Sequence, residues 1–368
     1  MSRQLVLLGA GHAHVHVLAQ LAARPLPGTV VTLVSRHERQ LYSGMVPGLV
    51  AGRFRRDECE MALAPLVLAA GVRWLKQEVI ALSADARELL LDDGAKLSYD
   101  WLSINTGGVQ DRERLETALP GARANGLFVR PIEKFAQLWP QVVRLANTRA
   151  LRVTVIGAGA AGIELAFAAR QAMPEAAVTL LSGGGQVAAG YSAGMRRRVM
   201  AALTLRRINV LPERAVGIES DQIHLAQGAR LACDVTLLAT GSQAPAWLHN
   251  SGLALDAQGF LAVDACQRST SHPTVLAAGD VASRIDRLLP RSGVYAVRGG
   301  PVLARQWAAL ANGKDLRIYQ PPARSLNLLS CGDGTAIASW GGVSAHGRWA
   351  GWLKDRIDRR FIARFGSV

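Results

Sequence analysis

The sequence predicts an α/β protein with two Rossmann-like dinucleotide-binding domains, on three observations. Residues 5–14 (LVLLGAGHAH) and 153–162 (VTVIGAGAAG) each run from a β-branched and leucine stretch through glycines into a helical pattern. Matched segments follow both in the same order: a helix, a second strand, and later a strand ending in Thr-Gly. With 368 residues, the chain is long for one core, and 49% hydrophobic residues exclude a disordered protein.

The elements follow in order. After the first fingerprint, Val15, Leu18, Leu21 and Ala22 recur at helical spacing, Pro25 and Pro27 end that helix, and residues 30–34 (VVTLV) read as the next strand. After the second, Ile163, Ala166 and Ala169 mark a helix, Pro174 follows it, and residues 177–181 (AVTLL) make a strand. Residues 99–108 (YDWLSINTGG) and 233–242 (CDVTLLATGS) are strands whose Thr-Gly lets a loop cross close to a nucleotide. Residues 273–280 (PTVLAAGD) lack the glycine pair that opens a helix, so they deliver an acid, Asp280, to the carboxyl end of a sheet. This last strand belongs with the first half. The expected organisation is therefore a discontinuous first domain, residues 1–128 and 258–320, a second domain at 129–257, and a C-terminal segment at 321–368 with an amphipathic basic helix.

Glycines at these turns let the backbone approach a pyrophosphate, and the helix behind points unpaired N–H groups at it. Two such loops suggest two nucleotides, one giving electrons to the other. The four cysteines, Cys59, Cys233, Cys266 and Cys331, show no CxxC or CxxxxC spacing, so neither a zinc ribbon nor an active disulfide is written in the chain. The N-terminal apolar run is one strand long and no stretch reaches the roughly 20 apolar residues of a membrane span, so a cytoplasmic protein is expected. His12, His14 and His16 resemble a metal tract, but a helix N-terminus repels cations, and no metal is expected. The net charge of +14 asks for anionic partners. Nucleic acid is not among them, because the basic residues show no recognised module.

These segments, GAGHAH, GAGAAGIELA, the two strand-Thr-Gly pieces and AAGD, resemble the FAD and NAD(P)H pyridine nucleotide oxidoreductases over nearly the whole chain. Without an active disulfide, the chain is similar to type II NADH dehydrogenases. YSGMVPG (42–48), GVYAVRGGPVLA (293–304) and WLKDRIDRRFIARF (352–365) resemble the branch found fused to selenide, water dikinase. The resemblance implies FAD contacts at Gly9, Gly11, His12, Ser35, Arg36, Val79, Thr106, Gly107, Gly279 and Asp280. It implies NAD(P)H contacts at Gly157, Gly159, Ala160, Gly162 and Gly241, with Glu164 near the nicotinamide and Pro47 in the loop beside the isoalloxazine. NAD(P)H would reduce the flavin, which would reduce a separate small-molecule acceptor, a quinone by inheritance. The rival reading is a flavin-binding redox module or partner protein with little turnover, linked to selenophosphate synthesis.

Three departures qualify the resemblance. His14 takes the third glycine position of the first fingerprint, where a side chain should push helix and strand apart and loosen FAD. Neither second strand ends in the acid that holds a ribose 2′-OH: Ser35 and Arg36 follow one, Ser182 and three glycines the other. Arg196, Arg197 and Arg198 could meet a 2′-phosphate but lie farther along, so the sequence leans to NADH without excluding NADPH. The family's AQxxQ quinone segment aligns with residues 293–297, where both glutamines are gone and Tyr295 is left to stack on a planar acceptor. In the C-terminal helix, Trp349, Trp352, Leu353, Ile357, Phe361 and Phe365 recur at helical spacing among arginines. Such a helix lies on an anionic membrane surface, giving a peripheral protein on the inner face of the membrane, or packs on the body or on the second subunit of a homodimer.

Overall fold

The computed structural model describes residues 2–287, 289–322 and 324–366. The first half lays down β1 (Arg3–Leu8), helix α1 (His12–Ala23), β2 (Thr29–Val34), β3 (Arg73–Leu75) and β4 (Trp101–Ile104). The chain then builds β5 (Gly126–Phe128), β6 (Arg152–Ile156), α2 (Ala160–Ala172), β7 (Ala177–Leu181), α3 (Ala193–Leu205), β8 (Asn209–Leu211) and β9 (Val235–Leu238). It returns with β10 (Val275–Ala277) and the long helix α4 (Gly293–Ala311), and closes with β11 (Leu326–Ser330), β12 (Ala336–Trp340), β13 (Val343–Gly347) and α5 (Arg348–Gly366).

Two parallel sheets of the same plan result, ordered β10-β4-β1-β2-β3 and β5-β9-β6-β7-β8. The central strands are apolar because elements cover both faces: Leu5 to Leu8 in β1 and Val153 to Ile156 in β6 are buried. Registers end together, Leu8 facing Val34 and Ile104, Ile156 facing Leu181 and Leu238, so each fingerprint loop emerges at a common carboxyl edge. This is the α/β architecture that the duplicated pattern predicts. Helix α1 lies against α4, where Gly300 makes room: a Cβ there would stand 2.5 Å from the His16 ring.

Both crossings come earlier in the chain than the boundaries expected at 128 and 257. Leu115, Leu119, Ala122 and Phe128 pack with Ile156 and Leu181 of the second half, while Ala244, Leu248 and Leu253 pack with Val6 and Leu8 of the first. The chain changes halves instead at Val109 and Gln243, which hydrogen-bond each other both ways at 2.9 and 2.8 Å. The reason is local: each crossing follows a Thr-Gly loop, and the two extended passages satisfy one another's backbone groups.

The C-terminal segment ties the halves together. Leu329, Cys331 and Ile337 of its antiparallel sheet join the second core, whereas Phe361 and Phe365 of α5 join the first. The aromatic stripe read from the sequence is therefore split. Ala350, Asp358, Phe361 and Phe365 face inward with Lys354, while Trp349 (54% exposed), Trp352 (61%) and Ile357 (44%) face solvent. No described helix is long and apolar enough to cross a membrane.

Candidate functional site

The first fingerprint lies flush on the end of β4. Gly9 has φ +84°, and a Cβ there would stand 2.8 Å from the Asn105 carbonyl oxygen; one on Gly11 would reach the same oxygen at 2.5 Å. Gly11 has no side chain to cap α1, and Asn105 supplies the cap from outside. Its Oδ1 accepts from the backbone N–H of Ala13 (2.9 Å) and His14 (3.1 Å), and its Nδ2 donates to the Ala278 carbonyl (2.6 Å). One amide thus ties β4, α1 and the end of β10. Sequence reading passed over Asn105, whose only signal was its place before Thr106 and Gly107, where the second half has Ala239.

His14 does not push α1 away. Its ring is fully buried; because a carbonyl can only accept, Nδ1–H donates to Gly9 O, leaving Nε2 to accept from the Ser103 hydroxyl at 2.8 Å. Ser103 Oγ in turn accepts from Trp307 Nε1 at 3.0 Å. The expectation of a looser loop is corrected: the imidazole braces the loop, and burial pushes its pKa down to about 4, keeping it neutral. His12 and His16 are also pushed down to about 4, chiefly by burial. His12 Nε2 accepts from the backbone N–H of Ser43 at 3.4 Å, and the His16 ring meets Phe365 edge-on at 4.7 Å. Among the described residues no group of three or more His, Cys, Asp or Glu side chains gathers as a metal ion would need.

Asp280 follows β10 after Gly279, and it is not alone. Arg130, on the chain leading out of β5, donates to it at 3.2 Å and to the Gly108 carbonyl at 3.2 Å. Gln110 holds the Arg130 backbone N–H at 2.8 Å and donates to Leu238 O at 2.7 Å, so this cluster spans both halves. Sequence reading missed Arg130, a single arginine in FVRP. At the end of β2, Ser35 is buried and its carbonyl accepts from Trp74 Nε1 at 2.9 Å. Arg36 is held by Glu78 (2.7 Å) and Asp92 (3.1 Å), next to the buried Val79. Gly9, Gly11, His12, Ser35, Thr106, Gly107 and Asp280 thus share the carboxyl edge of the first sheet.

The second fingerprint is tighter. Gly157 has φ +115°, with a notional Cβ 2.3 Å from Ala239 O, and a Cβ on Gly162 would stand 1.8 Å from Gly157 O. A Cβ on Gly159 or Gly241 would meet nothing within 4 Å, nor would one on Gly107 in the first half. These loops front on open space where a dinucleotide can lie against backbone, and α2 opens at Gly159 with no side-chain cap in the way. The residues present therefore fit a pyrophosphate in each half. Of the arginines beyond β7, Arg196 donates to Tyr191 O (2.7 Å) and Arg198 to Ser344 O (3.0 Å), so both are held within the protein.

A buried polar cluster lies where the halves and α5 meet. Glu164, next to Ile163 in α2, is half-buried and accepts from the backbone N–H of Ser330 at 2.8 Å; loss of solvent pushes its pKa up to about 7 against the pull of Lys354. Lys354 donates to the Gly44 carbonyl at 2.6 Å and to Asp358 at 2.8 Å. Burial opposes its charge, but Asp358 and Glu164 outweigh that and hold its pKa above the ordinary value. Burial likewise raises the Tyr42 phenol, which faces Asp358, and the Tyr42 ring stacks on Phe361 at 4.4 Å. Pro47 opens the short helix Val46–Val50 behind this loop, and α4 abuts it: a Cβ on Gly293 would stand 3.1 Å from Ser43 Oγ. Tyr295 turns elsewhere, its hydroxyl 3.5 Å from Ser325 Oγ beside a cavity that Asp280 also lines. All four cysteines are free thiols.

Comparison with known proteins agrees with this geometry. The profile of the family described as "Pyridine nucleotide-disulphide oxidoreductase" matches residues 3–300. Demethylphylloquinone reductase NdbB of Synechocystis sp. is 25% identical over 363 residues, covering 94% of this chain and 88% of its own. Alternative NAD(P)H-ubiquinone oxidoreductase C1 of Arabidopsis thaliana is 24% identical over 355 residues, covering 84% and 68%. The sulfide:quinone oxidoreductase structure from Aquifex aeolicus superposes with a TM-score of 0.80 at 16% identity, covering 99% of this chain and 91% of that one, a likeness of fold alone.

Proposed function

The chain belongs to the pyridine nucleotide-disulphide oxidoreductase family, and we propose that within it this protein transfers electrons from NAD(P)H to a quinone. It is an NAD(P)H dehydrogenase-type flavoprotein oxidoreductase that uses FAD and NAD(P)H and has no disulfide among its described residues. Bound FAD supplies the two-electron chemistry between the nicotinamide and the acceptor. The protein's own residues brace the two pyrophosphate loops through Asn105 and His14 in one half and Gly162 in the other.

The observation that carries the quinone reading is the largely buried group of Glu164, Lys354, Asp358 and Tyr42, with Lys354 on the Gly44 carbonyl. Reducing a quinone with NAD(P)H consumes one proton beyond the hydride, giving NAD(P)+ and the quinol. Glu164, with a pKa of about 7, is poised to take up and give a proton at neutral pH, and Lys354 carries its charge to the loop. Both relatives described above are named for quinone reduction. With the AQxxQ glutamines absent, the polar groups at this place come from α2 and α5 instead.

The test is anaerobic stopped-flow with a short-chain quinone. Glu164→Gln should leave reduction by NAD(P)H near wild type, slow reoxidation by quinone about 100-fold at pH 7, and abolish the pH dependence centred near 7. Unchanged quinone reoxidation would sink the proton role. The outer face of α5, with Trp349, Trp352, Arg356 and Arg360, suits an anionic membrane surface, where a quinone is met. Co-sedimentation with anionic vesicles at low salt and release at high salt is expected; a protein soluble in both removes the membrane from the proposal.

A second reading has one observation in its favour. The three segments resembling the branch fused to selenide, water dikinase converge, since Gly293 abuts Ser43, Lys354 holds Gly44 and Phe361 stacks on Tyr42. A yellow protein that neither NADH nor NADPH bleaches would favour this redox partner over the quinone reductase.

A further inference from the structure

Eight buried side-chain polar atoms lack a hydrogen-bond partner among the described residues, and four of them, on Gln267, Arg291, Arg298 and Tyr319, gather beside the start of α4. Buried polar atoms are rarely left unpaired, so such a gathering points to a missing occupant. Gln267, Arg291 and Tyr319 line a cavity of about 60 Å³ with Arg284 and Tyr295. Arg284 and Tyr319 also line a neighbouring cleft of about 540 Å³, walled by Asp286, Arg287, Pro321 and Pro322. Arg298 is close enough for its charge to act on the Tyr319 hydroxyl.

The charge balance favours an anion. Arg284 is paired with Asp286 and Arg291 with Asp256, while Asp280, the acid at the cavity's edge, is taken by Arg130. Arg298 has no acidic partner among the described residues. The unpaired Gln267 Oε1 needs a donor, while Arg298 Nη1 needs an acceptor. A carboxylate satisfies only the second need; a hydrogen phosphate has both an O–H and acceptor oxygens. The ring of Tyr319, Ile318 and the two prolines offer the wider cleft an apolar wall.

We propose that this cleft binds a phosphate-bearing small molecule, its phosphate held by Arg298, Tyr319 and Gln267 and its body in the wider cleft. The small cavity borders the FAD site at Gly279 and Asp280, and the proposed phosphate contacts, Arg298, Tyr319 and Gln267, lie outside the residues assigned to either dinucleotide. It is tested on the FAD-loaded protein in phosphate-free buffer by calorimetric titration and ³¹P line broadening, with inorganic phosphate in one arm and phenyl phosphate in the other. Saturable binding of one equivalent is expected, tighter for phenyl phosphate, and weakened about tenfold by Arg298→Gln or Tyr319→Phe with flavin content and bleaching by NAD(P)H unchanged. Should Arg298→Gln fail to fold, Tyr319→Phe, which removes one oxygen, decides the matter. No saturable binding, meaning a cleft filled by water alone, overturns the proposal, as does equal affinity in wild type and Tyr319→Phe.

Discussion

The two fingerprint loops follow one sequence pattern, and the chain solves their third position in opposite ways. In the second half, Gly162 sits so close to Gly157 O that a Cβ would stand 1.8 Å from it. In the first, His14 occupies the equivalent place and its imidazole donates to Gly9 O, the equivalent carbonyl. The strand alongside differs in step: Asn105 caps two N–H groups of α1, whereas Ala239 leaves the opening of α2 free. A glycine at this position is thus one way of letting a helix approach its strand; a hydrogen-bonded ring with a small serine beneath it, Ser103, is another. The first loop depends on side chains from β4 and α4, the second only on backbone contact.

The sharpest way to break the comparison is Gly162→Ala. The methyl has backbone in its path rather than a flexible side chain, so about 3 kcal/mol of destabilisation and loss of nicotinamide binding are expected, measured by urea unfolding and coenzyme titration. A variant as stable as wild type would show that the second loop yields as the first does. His14→Gly restores the family pattern, yet it should cost about 2 kcal/mol, because it empties a buried space and strips Ser103 and Gly9 O of partners. FAD release, followed by flavin fluorescence, should quicken.

The same substitution has a pH signature. His14 titrates at about 4 when folded and near 6.5 when not, so between those values the unfolded chain binds the extra proton and stability falls as pH falls. Removing the ring should make that slope shallower by about 1.4 kcal/mol per pH unit, with His12 and His16 supplying the rest. An unaltered acid slope would mean that His14 is not buried neutral.

The fold was legible because it depends on local pattern. Residues 5–8 are apolar at every position and 153–156 at all but the buried Thr154, the mark of strands covered on both faces, and glycines follow them where the backbone must turn. Asp280 could be placed at a strand end by the same logic. Arg130 and Asn105 could not be singled out, since each works through partners more than a hundred residues away or on a neighbouring strand: Arg130 with Asp280, Asn105 with Ala278 and α1. The helix α5 shows the limit of periodicity. Its aromatics repeat at helical spacing, but Lys354 and Asp358 lie on the inward face and Trp349 and Trp352 on the outward one.

What the sequence determined by itself was therefore the duplicated α/β plan, the two backbone turns fit for pyrophosphates and the lack of a redox-active cysteine pair, because spacing and residue type suffice for these. Tertiary structure alone decided that His14 braces its loop, that the crossings lie at Val109 and Gln243, and that Glu164 feels the charge of Lys354, which holds the Gly44 carbonyl. Those outcomes turn on burial and on which distant groups share a space, and burial is what sets a histidine neutral and raises a carboxyl's pKa to about 7.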